Sequence, residues 1–225
     1  MKRACLTLGI ICVSLPAGCG DVDDGIREYT VPKEQAPGDA GHEVKPRKQR
    51  LLGAIIPEGK KMWFFKLKGP IGDVNAVITK QFLGFIETVR FKDGKPAWSV
   101  PKPWRQLPDN DRRNQPASRF SFPRFATLLV DPDNEKLELT ITSLENPGNV
   151  DETEFILLNV NRWRGQVGLP HRTKDNLYDP ETVESNRKNT DEVRKLTIGG
   201  RTAVLAQFVG FPPPPRPGRG PFMRP

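Results

Sequence analysis

Residues 159–166, Asn-Val-Asn-Arg-Trp-Arg-Gly-Gln, hold the densest group of side chains in this chain that can bind a ligand. Asn159, Asn161, Arg162, Arg164 and Gln166 surround Trp163 with amide and guanidinium groups suited to a carboxylate, a phosphate or a sugar, and arginine adds a planar two-point fork. The same residues also admit an architectural reading. In it, Trp163 is core, Arg162 and Arg164 bond nearby carboxylates or carbonyls, and Asn161 and Gln166 tie down a helix exit.

Covalent and metal chemistry has less to draw on. The two histidines, His42 and His171, lie in unrelated sequence contexts with no ligand-spaced neighbours, so neither a zinc site nor a catalytic triad is indicated. The three cysteines, Cys5, Cys12 and Cys19, all fall within the first twenty residues, leaving the rest of the chain without a thiol nucleophile, a cysteine metal ligand or a disulfide. Gly69-Pro70-Ile71-Gly72 precedes a helical pattern and suits an anion at a helix N-terminus, but it lacks the glycine spacing of a nucleotide loop and reads more simply as a tight turn. Glu135 and Glu138 fall on turn or strand positions and read as solvated. No cofactor is expected.

The elements that must position these residues follow from periodicity. Residues 51–56 and the run beginning Met62-Trp63-Phe64-Phe65-Lys66-Leu67 flank Pro57-Glu58-Gly59-Lys60 and read as a hairpin ended by Gly69-Pro70. Val74, Val77, Ile78, Phe82, Phe85, Ile86 and Val89 are spaced by three and four, which predicts a helix from about Asp73 that covers a sheet. Lys92-Asp93-Gly94 is a turn. Trp98 and Trp104 bracket an extended Val-Pro-Lys-Pro segment.

Residues 125–130 and 137–144 form a second predicted hairpin, with Leu137, Leu139, Ile141 and Leu144 on one face and Glu138, Thr140 and Thr142 on the other. Ile156, Val160, Trp163 and Val167 predict a second helix over residues 154–167, stopped by Gly168 and Pro170. A short helix is expected near Pro180. Residues 196–209 fold about Gly199-Gly200 as a third hairpin. The fold class is therefore α+β: a mainly antiparallel sheet covered by two main helices in an α/β/α sandwich-like arrangement.

Composition bounds the partners. The chain of 225 residues carries a formal charge of +8, with 23 prolines and 20 glycines crowded into linker-like stretches. Such a surplus favours anionic partners without specifying one. The N-terminus reads as an address. Lys2 and Arg3 precede an uncharged run to Leu15 and then Pro16-Ala17-Gly18-Cys19, the pattern of a secretory signal. The run is shorter than the about 20 residues a membrane-spanning helix needs.

Ala17-Gly18-Cys19 resembles the lipobox of bacterial lipoproteins, with Pro16 where that family usually has leucine and Leu15 one step earlier. The resemblance implies cleavage after residue 18, diacylation of the Cys19 thiol and membrane attachment; two acyl chains suffice for stable anchoring. An ordinary cleaved signal with an incidental cysteine, or a buried apolar N-terminal helix, is the alternative. Cleavage removes Lys2 and Arg3 and lowers the charge by two. Residues 19–49 then read as tether and linker, with a short strand over residues 26–31 and a basic end, residues 50–210 as a single domain, and residues 211–225 as a disordered Pro/Arg-rich tail.

Met62-Trp63-Phe64-Phe65-Lys66-Leu67, Pro101-Lys102-Pro103-Trp104 and the 159–170 segment together resemble predicted lipoproteins of planctomycete-type bacteria, over most of residues 50–210. More remotely the layout is similar to the PsbP and DcrB-like sandwich, whose members mostly serve as extracytoplasmic or lumenal accessory proteins. These resemblances imply a lipid-anchored envelope module that binds or scaffolds rather than catalyses, with an envelope protein or anionic polymer as partner. Two other readings stand beside it: an envelope hydrolase built around Arg162, Arg164 and His171, and a soluble exported binder of anionic polymer. An exported chain rarely meets nucleic acid, and none is expected.

Overall fold

Two strands that are apolar on both faces set the architecture, because such a pair needs cover on both sides. They are β1 (Gln49–Glu58) and β2 (Lys61–Pro70), an antiparallel hairpin in which Ile55 faces Phe64 and Ala54 faces Phe65. The computed structural model describes residues 47–116, 123–131, 133–146, 148, 150–178 and 191–214. The expected signal peptide, Cys19, the strand over residues 26–31, most of the tether, the helix near Pro180 and the tail beyond Pro214 lie outside the described residues.

The first hairpin is longer than its sequence suggests. Pro57 and Glu58 remain in β1, and Gly69-Pro70 does not break β2, since Arg50 pairs with Gly69 and Gln49 with Pro70. Gly69 suits the strand because a Cβ there would lie 2.7 Å from the Leu137 side chain, and Pro70 is tolerated at the last strand position. The chain turns only after Pro70, whose carbonyl accepts from Asp73 and Val74 N–H.

Helix α1 (Ala76–Glu87) starts three residues later than predicted, where the Asn75 side chain accepts from the Val77 and Ile78 N–H groups at 2.9 and 3.0 Å. Its covering face is Phe82, Phe85 and Ile86, with Val74 and Val89 buried just outside the helix. Val77 is not part of that face. It sits five residues before Phe82, roughly 140° round the helix, and is 63% exposed.

The small hairpin β3 (Arg90–Lys92) and β4 (Lys95–Ala97) follows, closed by Asp93 and Gly94, both at positive φ. Next come β5 (Arg105–Gln106), β6 (Ala126–Leu129) and β7 (Glu138–Glu145). Helix α2 (Glu152–Gly165) is capped by Asp151, with Glu152 and Glu154 in its first turn and Arg162 and Arg164 in its last, a distribution that complements the helix dipole. Gly168, at φ +71°, lets Leu169 N–H donate back to the Arg164 carbonyl at 3.0 Å. The chain ends in β8 (Glu192–Ile198) and β9 (Arg201–Gly210), joined by Gly199 and Gly200 at φ +56° and +78°, as a two-residue hairpin turn requires.

Seven of these strands form one sheet in the order β5-β6-β7-β2-β1-β9-β8, with every neighbouring pair antiparallel. Alternation splits its side chains into two cores. Leu52, Ala54, Ile56, Trp63, Phe65, Leu67, Leu139 and Ile141 pack with Phe82, Phe85 and Ile86 of α1. Leu51, Ile55, Met62, Phe64, Val204, Ala206 and Phe208 pack with Ile156, Val160 and Trp163 of α2. The helices thus lie on opposite faces, and the α+β class with a mainly antiparallel sheet and two main helices is observed. Leu144 falls on the α2 side, off the face of Leu137, Leu139 and Ile141, because strand parity places it there.

Candidate functional site

Helix α2 distributes the residues of the 159–166 segment between structure and surface. Asn159 is buried and donates one turn back to the Phe155 carbonyl at 2.9 Å. Asn161 clamps a neighbouring segment in two places: its amide donates to the Arg172 carbonyl at 2.9 Å, and its Oδ1 accepts from Arg172 N–H at 2.7 Å. Trp163 is buried edge-on to Phe64, with ring centroids 6.1 Å apart.

Arg164 is fully buried. Its Nε donates to the Pro170 carbonyl at 2.7 Å, its guanidinium lies over the Phe208 ring at 5.3 Å, and Asp191 stands 3.8 Å away. Asp191 in turn accepts from Val209 N–H, so Arg164 joins α2 to the last hairpin of the sheet. For Asn159, Asn161, Trp163 and Arg164 the architectural role is the one observed.

Arg162 and Gln166 differ. They line an open cleft of about 250 Å³ between α2 and the sheet, together with Phe64 and Lys66 of β2, Arg124, and Thr140, Thr142 and Leu144 of β7. Trp163 forms part of its wall. His171 is exposed and outside the cleft, and Arg164 is turned away into the core, so the structure does not bring Arg162, Arg164 and His171 together.

Lys66, Arg124, Thr140 and Thr142 are the residues that sequence reasoning did not single out as a site. A signal existed for Lys66. It follows Met62 and Phe64 on the same inward face of a central strand, where an amine is out of place. Thr140 and Thr142 read as a solvent side of β7, and they open to the cleft.

The electrostatics of the cleft are one-sided: among the described residues, three cations and no carboxylate line it. Burial pulls the Lys66 amine down to about 8, and the positive charges of Arg162, Lys68 and Arg124 push the same way. Its nearest polar side-chain partner is Gln166 Oε1 at 3.5 Å. Arg162, though exposed as a residue, is held below its ordinary value by desolvation, and it has no ion pair among the described residues. Arg124 is paired with Glu138 at 2.7 Å, and Glu138 is shared with Arg113 at 3.5 Å, so this carboxylate is engaged rather than simply solvated.

Such a cleft can bind an anion. Thr140 Oγ1 donates to the Lys66 carbonyl at 3.3 Å. Among the described residues no group of three His, Cys, Asp or Glu side chains is placed to hold a metal. The helix N-terminus after Gly72 is occupied by its own Asn75 cap, and Gly69-Pro70 lies within β2, so the anion site weighed for that stretch is not formed there. No helix among the described residues is long and apolar enough to cross a membrane. Compared with protein-family models, curated proteins and solved structures, the chain gives no match.

Proposed function

We propose that this chain is a lipid-anchored cell-envelope protein whose α+β body acts as a binding or scaffolding module, without catalysis, and that it engages an anionic partner through the cleft beside α2. The observation that carries the binding role is the cleft lining: Lys66, Arg124 and Arg162 converge from three segments with no carboxylate among them. The attachment rests on the sequence, with residues 1–18 as a cleaved signal, Cys19 as the acylated residue and residues 19–49 as tether. The likeness to the PsbP and DcrB-like sandwich rests on the sequence layout alone, and with it goes an accessory role at a membrane surface.

Two measurements test the two halves of this reading. Cells fed a fatty-acid analogue are expected to label the protein, and Cys19→Ser is expected to abolish the label and release the protein from membranes. An unlabelled but membrane-free wild type refutes the anchor. A photo-crosslinking residue at position 166, facing the cleft, is expected to capture a partner in intact cells. Equal capture from exposed position 77, on the far helix, refutes the cleft as the docking place.

A further inference from the structure

We infer that the cleft beside α2 is an oxyanion site for a phosphate-type dianion, with Lys66 and Arg162 as its two ligating cations. The inference rests on the binding-module reading above and names the chemistry of what that module binds.

Charge matching decides the class. Arg124 already shares Glu138 with Arg113, while Lys66 and Arg162 face the cleft without a carboxylate among the described residues. Two positive charges therefore remain uncompensated, which one dianion would neutralise. A monocarboxylate would leave one cation unpaired in a partly desolvated site. The groups also approach from different elements, Lys66 from β2, Arg162 from α2, and Thr140 and Thr142 from β7, and the three oxygens of a tetrahedral group, not confined to one plane, meet such a spread more fully than the two of a carboxylate. The cleft volume, about 250 Å³, leaves room for the group to arrive on a larger carrier.

The protonation of Lys66 supports the same conclusion. Burial first, then Arg162, Lys68 and Arg124, holds the amine down to about 8, and a bound dianion opposes each of these effects by favouring the charged form. The charged groups bearing on it are Lys68 on its own strand, Arg162 on α2, Arg124 before β6, and Glu138 on β7 acting through Arg124. Affinity is therefore expected to fall as pH rises above about 8, where the free amine loses its proton.

The test uses the full chain in detergent, with isotope-labelled lysine side chains observed by NMR in inorganic phosphate and in chloride at equal ionic strength. The Lys66 signal, identified by its loss in Lys66→Gln, is expected to titrate near 8 in chloride and to move towards its ordinary 10.5 in phosphate. Arg162→Gln and Lys66→Gln are each expected to weaken phosphate binding at least about tenfold, and Lys102→Gln, an exposed lysine outside the cleft, to leave it unchanged. An identical Lys66 titration in both salts overturns the inference, as does phosphate binding that survives both cleft variants.

Competition by glycerol phosphate identifies a soluble carrier. Arg162-dependent binding to phosphatidic acid vesicles, whose headgroup is a phosphomonoester, absent with phosphatidylcholine, identifies a lipid headgroup. Capture from position 166 in cells without phosphate binding overturns the dianion and leaves the binding module standing; loss of both overturns both.

Discussion

The Trp163 indole lies against Gly53, so closely that a methyl group on Gly53 would overlap ring atom Cζ3 and come within 2.6 Å of Cε3. A glycine in the middle of a central strand usually weakens it, and this one is explained by the ring it admits. The contact sets the distance of α2 from the sheet and so the depth of the cleft that Trp163 walls.

Gly53→Ala is therefore expected to destabilise the domain by about 1–3 kcal/mol through overpacking, although alanine is otherwise the better strand residue. Urea unfolding of the variant beside the wild type measures it. A stability equal to or above that of the wild type would show that α2 can shift outward at no cost.

Asn161 holds the backbone of Arg172 by both its donor and its acceptor. Asn161→Ala removes both bonds at a part-buried place and is expected to cost about 1–3 kcal/mol. Hydrogen exchange at the Arg172 amide should accelerate with it. Asn161→Asp keeps the acceptor alone and should protect that amide while still losing stability.

Arg164 has no exposed surface and carries a charge beside Asp191. Arg164→Ala removes the packing on Phe208, the bond to Pro170 and the charge facing Asp191 together, and a loss of about 3–5 kcal/mol is expected. Arg164→Met restores part of the volume over Phe208 and should fall between. Thermal unfolding of the three proteins orders them.

Lys66 predicts a pH dependence of stability whose sign follows from proton counting. The amine titrates at about 8 when folded and near 10.5 when unfolded. Between those values the unfolded chain holds a proton that the folded one has released, so stability rises with pH through that window. Below it the folded state carries a desolvated charge at a cost of roughly 1–3 kcal/mol. Lys66→Met is expected to be more stable than the wild type at pH 7, with the difference shrinking towards pH 10, as followed by urea unfolding across the range.

Much of this fold could be read from the chain because alternation and turn chemistry act locally. Gly199-Gly200 and Asp93-Gly94 supply the positive φ angles their turns need, and the Ile156, Val160, Trp163 stripe shows which face of α2 is inward. The misreadings arose where tertiary packing overruled a local rule. Gly69-Pro70 stays in the strand because β1 pairs with it through Arg50 and Gln49, and Val77 falls off the covering face because it lies roughly 140° round the helix from Phe82.

The site was half legible. Residues 159–166 drew notice for their polar side chains, but Arg162 and Arg164, two positions apart on a helix, point in different directions, one to the cleft and one to the core. Lys66 and Arg124 lie 58 residues apart in sequence, and the pairing of β2 with β7 and β7 with β6 brings them together.

The register of β1 against β9 places Gln49 opposite Gly210, so the polypeptide enters and leaves the sheet at one point. β1 is bonded along its length to β2 on one side and, from Gln49 to Ile55, to β9 on the other. A pull on the chain ahead of Gln49 would therefore load those two ladders in shear, many hydrogen bonds at once, instead of peeling an outer strand bond by bond. A load entering at Gln49 therefore falls on an interior strand rather than on β5 or β8 at the edges of the sheet, and it passes directly to β2, which lines the cleft.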